Sequence, residues 1–121
     1  MKIITLETLK TMPNGTVFSQ IDVWGNFENG IRILTGRFED KEGFNGEMEL
    51  CPSLELNEYV EMIRDREYPT EWVTCDTAHF DYEESQLFAV FSKQEIEKMI
   101  KALQWALTDL KDDFDMNEIL I

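Results

Sequence analysis

Cys75 and His79 are the only nucleophile and base that stand close together in this chain, and His79 is its single histidine. A thiol and an imidazole catalyse acyl transfer when they converge in a cleft and a third group orients the base. Nothing in the surrounding sequence supplies that convergence, and a buried thiol near a surface histidine is the simpler reading. No enzymatic activity is therefore expected. Cys51, Cys75 and His79 also lack the C-x2-C spacing of structural zinc sites, and two isolated cysteines are read as buried small hydrophobes without a disulfide. Asp109, Asp112, Asp113 and Asp115 lack the glycine and closing glutamate of a calcium loop, and a solvated acidic helix end is the competing reading. Loops of the G-x-G-x-x-G or Walker type are absent, so neither a cofactor nor a metal is expected. Arg64 and Arg66 sit among Glu61, Asp65 and Glu67, which argues against direct contact with nucleic acid.

Charge is the property furthest from ordinary. Eleven Lys and Arg stand against 25 Asp and Glu, for a net charge of −14. The excess is uneven: five cations face ten acids in residues 1–60, and six face fifteen in residues 61–121. Such a field repels nucleic acid and anionic membrane and attracts basic partners at rates that fall with salt. The competing explanation is solubility alone.

Two acidic groups are candidates for a partner-binding surface. Asp76, Asp81, Glu83 and Glu84 lie in one turn with Phe80 and Tyr82. Asp112, Asp113, Asp115 and Glu118 lie in the tail with Phe114 and Met116. Apolar anchors inside a field of one sign suit a basic protein groove, where the apolar contact holds and the charge steers. Ordinary packing beneath the domain is the alternative for Phe80, Phe114 and Ile119. Trp105 is read as interfacial, in a partner contact or in a homo-oligomer formed through its face.

The elements that must position these residues are legible from periodicity. Length and an apolar fraction of 43% suit one domain, 1–121, ending in an acidic-apolar tail at 112–121. Thr5 caps a short helix over Leu6–Met12, stopped by Pro13-Asn14-Gly15. Strands follow over Thr16–Val23 and Ile31–Phe38, separated by turn residues Asn26–Gly30, then over Glu47–Cys51. Leu56, Tyr59, Val60 and Ile63 at helical spacing predict a middle helix over Ser53–Arg66. Trp72–Cys75 is a short strand, and Gln86–Phe91, apolar on both faces, is a central one.

Ser92-Lys93-Gln94-Glu95 is a capping box, flanked by a Phe91–Ile96 hydrophobic staple. In the long helix that follows, Ile96, Met99, Ile100, Leu103, Ala106, Leu107 and Leu110 share one stripe, and Trp105 lies about 180° from Ile96. The fold class is α+β: an antiparallel sheet of about five strands with a short N-terminal helix, a middle helix and a long C-terminal helix packed on it. No apolar run approaches the roughly 20 residues of a membrane span, and the start lacks a signal-peptide core, so a cytoplasmic protein is expected.

The opening Ile4-Thr5-Leu6-Glu7-Thr8-Leu9 through Pro13-Asn14-Gly15-Thr16-Val17-Phe18, and the block Gln86-Leu87-Phe88-Ala89-Val90-Phe91 entering a helix, resemble small proteins of phages and mobile elements. That resemblance implies a counter-defence factor, of the anti-CRISPR or anti-restriction kind that mimics nucleic acid, acting on a basic host protein such as a nuclease or defence effector. A second group of similar size sequesters cyclic nucleotide signals as oligomers; for that role the last helix offers only Lys93, Lys98, Lys101 and Lys111. An immunity or antitoxin protein that blocks a basic nuclease is a third reading.

Overall fold

The computed structural model describes residues 1–37, 45–55, 61–72, 74–75, 82–109 and 112–121. These fall into two compact units, one of Ile3–Val90 and one of Met1–Lys2 with Phe91–Ile121.

In the first unit Thr5, in extended geometry, accepts the Thr8 amide at 3.3 Å and starts helix α1, Leu6–Leu9, directly after strand β1, Lys2–Thr5. The helix is shorter than its expected span to Met12. Pro13–Thr16 then turns the chain: Gly15, at a φ of 87° that favours glycine, donates its amide to Leu34 at 2.7 Å. Strands β2 (Val17–Ile21), β3 (Phe27–Arg37), β4 (Asn45–Glu49), β7 (Thr74–Cys75) and β8 (Leu87–Val90) form one antiparallel sheet in the order β8-β2-β3-β4-β7, with β1 beside β8.

β8, expected to be central, is flanked on both sides, and β2 beside it is buried at every position, its polar Ser19 and Gln20 included. Burying two polar side chains is tolerable because both find partners. Ser19 donates its hydroxyl to the Gly30 carbonyl at 2.7 Å, and Gln20 accepts from the Asn29 amide group. Asn29 and Gly30 both adopt positive φ, and the register jumps from Phe18↔Arg32 to Gln20↔Glu28, so this pair is a bulge inside β3. The expected turn at Asn26–Gly30 is thus displaced: the chain reverses over Asp22–Asn26, whose Asp22 carboxylate closes the loop. Ile4, Leu6, Leu9, Phe18, Leu34 and Phe88 make the core, with the Phe18 and Phe88 rings edge to face at 6.0 Å.

The expected middle helix over Ser53–Arg66 is not formed where the chain is described; residues 56–60 of that span lie outside the described residues. Ser53–Leu54 is instead strand β5, paired with β6, Thr70–Glu71, and Glu55 donates its amide to Pro69 at 2.9 Å. Asp65 has a φ of 62°, outside helical geometry, and the Ile63 amide donates to the Tyr68 hydroxyl at 2.7 Å. An amphipathic helix needs its stripe buried, and Met62 and Ile63 are exposed. Local pairing prevails there over periodicity. Of the expected strand Trp72–Cys75, only Thr74–Cys75 is strand, as β7; Trp72 follows β6 as an exposed residue outside any strand, and residue 73 lies outside the described residues. Cys51, expected to be buried, is exposed just past β4, where Pro52 follows it.

The second unit carries the capping box as read. Ser92 accepts the Glu95 amide at 3.2 Å and Glu95 accepts the Ser92 amide at 3.0 Å, opening helix α2, Lys93–Ala106. Of its stripe, Ile100, Leu103 and Leu107 are exposed. A four-residue helix, α3, Met116–Ile119, returns against α2. No helix among the described residues is long and apolar enough to cross a membrane.

Glu95 also pairs with the Met1 amine at 2.6 Å, and these bonds, the amine's first, hold its carboxyl down at about 2 from an ordinary 4.5. A depressed carboxylate stabilises the fold above its unfolded value and loses that contribution as pH falls. The Glu95 carboxylate is expected to titrate near 2 by NMR. Acid destabilisation between pH 4.5 and 2 should be shallower in Glu95→Gln than in the natural chain.

Candidate protein-interaction site

The acids of the tail are gathered around the end of α2. The Leu107 amide bonds back to Leu103 and Gln104, and Thr108 donates both its amide, at 3.1 Å, and its hydroxyl, at 2.7 Å, to the Trp105 carbonyl. The helix therefore stops before the acidic run. Asp115 then caps α3, accepting the Asn117 amide at 2.9 Å and the Glu118 amide at 3.3 Å. Between the two helices Phe114 turns inward, its ring edge to face with Trp105 at 5.0 Å.

This pairing explains why a tryptophan stands opposite the apolar stripe. Trp105 is half-buried because the tail folds back onto that face of α2. The result is a concavity of about 360 Å³ in which Trp105, Thr108 and Ile119 meet Asp112, Asp113, Asp115 and Glu118. Five of the sequence-predicted residues are thus brought together, with Phe114 supporting them from behind Trp105. Among the described residues no lysine or arginine lines this concavity, and their ion pairs do not involve its four acids. The arrangement can present negative charge around one indole edge.

The other predicted group lies in the first unit and is only partly described. Glu83 and Glu84 are exposed in the turn before β8, and Glu84 borders a concavity of about 420 Å³ with Thr5, Leu6, Glu7 and Lys10. Asp76, Asp81, Phe80 and His79 lie outside the described residues. Among the described residues no cluster of three or more metal-ligating side chains occurs.

A polar network on the sheet escaped the sequence reading. Arg32 on β3 reaches Glu47 at 2.5 Å and Glu49 at 2.9 Å on β4, and donates to the Tyr82 hydroxyl at 2.8 Å. Tyr82 in turn donates to Glu47, and its ring packs edge to face on Phe88 at 5.0 Å. Burial, and then the Glu47 charge, pushes the Tyr82 hydroxyl well above its usual pKa. Burial opposes the Arg32 charge, but Tyr82, Glu47 and Glu49 outweigh it and raise its pKa. Because Arg32 faces Glu49 directly and Glu47 diagonally, the signal was a register, which the sequence alone does not carry.

No protein-family model, curated protein or solved structure matches the chain.

Removing one partner of a buried pair leaves an uncompensated charge, whereas removing both costs little. Arg32→Met is expected to lose about 3–5 kcal/mol of stability in urea unfolding at neutral pH, because Glu47 is buried beneath it. The double variant Arg32→Met with Glu47→Leu should recover most of that loss; equal losses in both would show that the pair itself is unimportant.

Proposed function

We propose that the chain is a non-enzymatic inhibitor whose acidic tail surface occupies the cationic nucleic-acid groove of a defence protein, as an anti-CRISPR or anti-restriction protein would. The observation that carries this reading is the concavity at the end of α2, where Asp112, Asp113, Asp115 and Glu118 line the same hollow as Trp105, with no cation among its described lining residues. A groove that binds phosphates holds Lys and Arg at spacings suited to anionic oxygens, and carboxylates on a fixed frame compete for the same contacts. Trp105 supplies an apolar anchor that nucleic-acid phosphates lack. An immunity or antitoxin protein against a basic nuclease would use the same surface.

The alternative of a cyclic-nucleotide sponge draws on Lys98 and Lys101, which line a concavity of about 320 Å³ with Glu97. Two lysines beside a glutamate give a phosphate less net charge to hold than the tail gives a cationic groove.

The test is inhibition of a nucleic-acid-binding defence nuclease across a salt series. Asp112→Lys with Asp113→Lys is expected to abolish inhibition, and salt to weaken the natural complex. Asp115→Asn accompanies them in place of a charge reversal, because Asp115 also caps α3 and asparagine keeps that cap. Inhibition that tolerates both the reversals and high salt would remove this reading.

A further inference from the structure

The β2–β3 connection displays an aromatic side chain that the tail surface leaves unused. Asp22 accepts the amides of Trp24 and Asn26, each at 2.9 Å, and the Asn26 side-chain amide at 3.0 Å. Two backbone bonds, from Asp22 to Asn26 at 3.0 Å and from Gly25 to Asp22 at 3.1 Å, close the same five residues. Held in this way, Val23 and Trp24 are 74% and 84% exposed. A tryptophan on a preorganised turn offers a large apolar area for little further loss of entropy on binding.

The end of the sheet on which it stands is rich in acids, although Lys10 lines a concavity with one of them, Glu84. Ile21 pairs with both Phe27 and Leu87, so the turn Asp22–Asn26 shares an end of the sheet with the turn at Glu83–Ser85, and Gln86 ties the two by donating to the Ile21 carbonyl at 3.3 Å. That end carries Asp22, Glu28, Glu83 and Glu84, and no lysine or arginine occurs in residues 11–31 or 82–92. We propose that the Val23–Trp24 tip is a docking anchor for a basic protein surface, the indole entering an apolar pocket whose Lys and Arg rim faces these acids. Nucleic acid and an anionic bilayer are repelled by the same four acids, and a second copy would bring like charge against like. The surface belongs to the first unit and stands whether or not the tail acids bind anything.

An amphipathic peptide of Lys and Leu serves as the probe, followed by the Trp24 indole N–H signal, which the spectrum of Trp24→Phe assigns. The peptide is expected to shift that signal at low salt. Trp24→Ala should weaken binding about thirtyfold, Trp24→Phe less than tenfold, and Glu28→Lys with Glu83→Lys and Glu84→Lys should weaken it and flatten its salt dependence. The thermal midpoint of Trp24→Ala should stay unchanged, since the side chain is exposed. Asp112→Lys with Asp113→Lys should leave the Trp24 response intact, which separates this surface from the tail. The proposal is overturned by an unmoved Trp24 signal at excess peptide or by an equal response to polylysine without leucine. It is overturned equally by a signal that moves with phosphatidylglycerol vesicles, or by light scattering that shows dimers lost in Trp24→Ala.

Discussion

The contact between Phe18 and Phe88 is the constraint on which the first unit rests. The two rings come from neighbouring strands and meet edge to face at 6.0 Å, where α1 and β1 deliver Leu6, Leu9 and Ile4 to the same cluster. Edge-to-face rings at such a distance are favourable beyond the area they bury, and each buried aromatic contributes several kcal/mol at most. β2 can be buried along its whole length only because the pairings on both sides satisfy its backbone and its bulge partner satisfies Ser19. The Tyr82 ring extends the cluster from Phe88 outward, and its hydroxyl hands over to Arg32 and Glu47. Apolar packing and the polar network therefore meet in a single side chain.

Strong local chemistry made part of this legible from sequence. The Thr5 cap and the Ser92–Glu95 box each have a side chain that answers a specific backbone amide within three residues, so nothing distant has to be known. β8 was legible because a strand apolar on both faces has only the interior of a sheet to go to. The middle helix misled because helical spacing at Leu56, Tyr59, Val60 and Ile63 implies a helix only if some surface covers that stripe. The β5–β6 pair is instead set by contacts between residues fifteen or more apart, and Asp65, in the left-handed region, stands in a turn where the Ile63 amide goes to the Tyr68 hydroxyl. The turn between β2 and β3 misled for a related reason: Asn29-Gly30 has the composition of a hairpin loop, yet Ser19 captures it as a bulge.

The candidate site was half legible on the same grounds. Composition located the tail acids and helical phase placed Trp105 away from the stripe, but only the fold of the tail shows that Phe114 is what it faces. Trp24 gave no signal at all, because an exposed tryptophan at a hairpin tip and a buried one near a strand end look alike until the turn is placed.

Asp115 shows why the tail acids are not one undifferentiated charge. Carboxylates at the C-terminal end of α2 would oppose its dipole by a few tenths of a kcal/mol. The helix ends at Ala106, however, and the Thr108 bonds to Trp105 separate Asp112 and Asp113 from its last turn. Asp115 goes further and reverses the sign, since its carboxylate accepts two amides at the start of α3, where negative charge is favoured. One acid of the cluster is thereby a structural necessity, fixing the return that seats Phe114 on Trp105. Asp112 and Asp113 cap nothing and pair with no cation among the described residues. Within the tail, structural duty and surface charge are therefore divided between different carboxylates: Asp115 holds the frame, and the described contacts leave Asp112 and Asp113 on its surface.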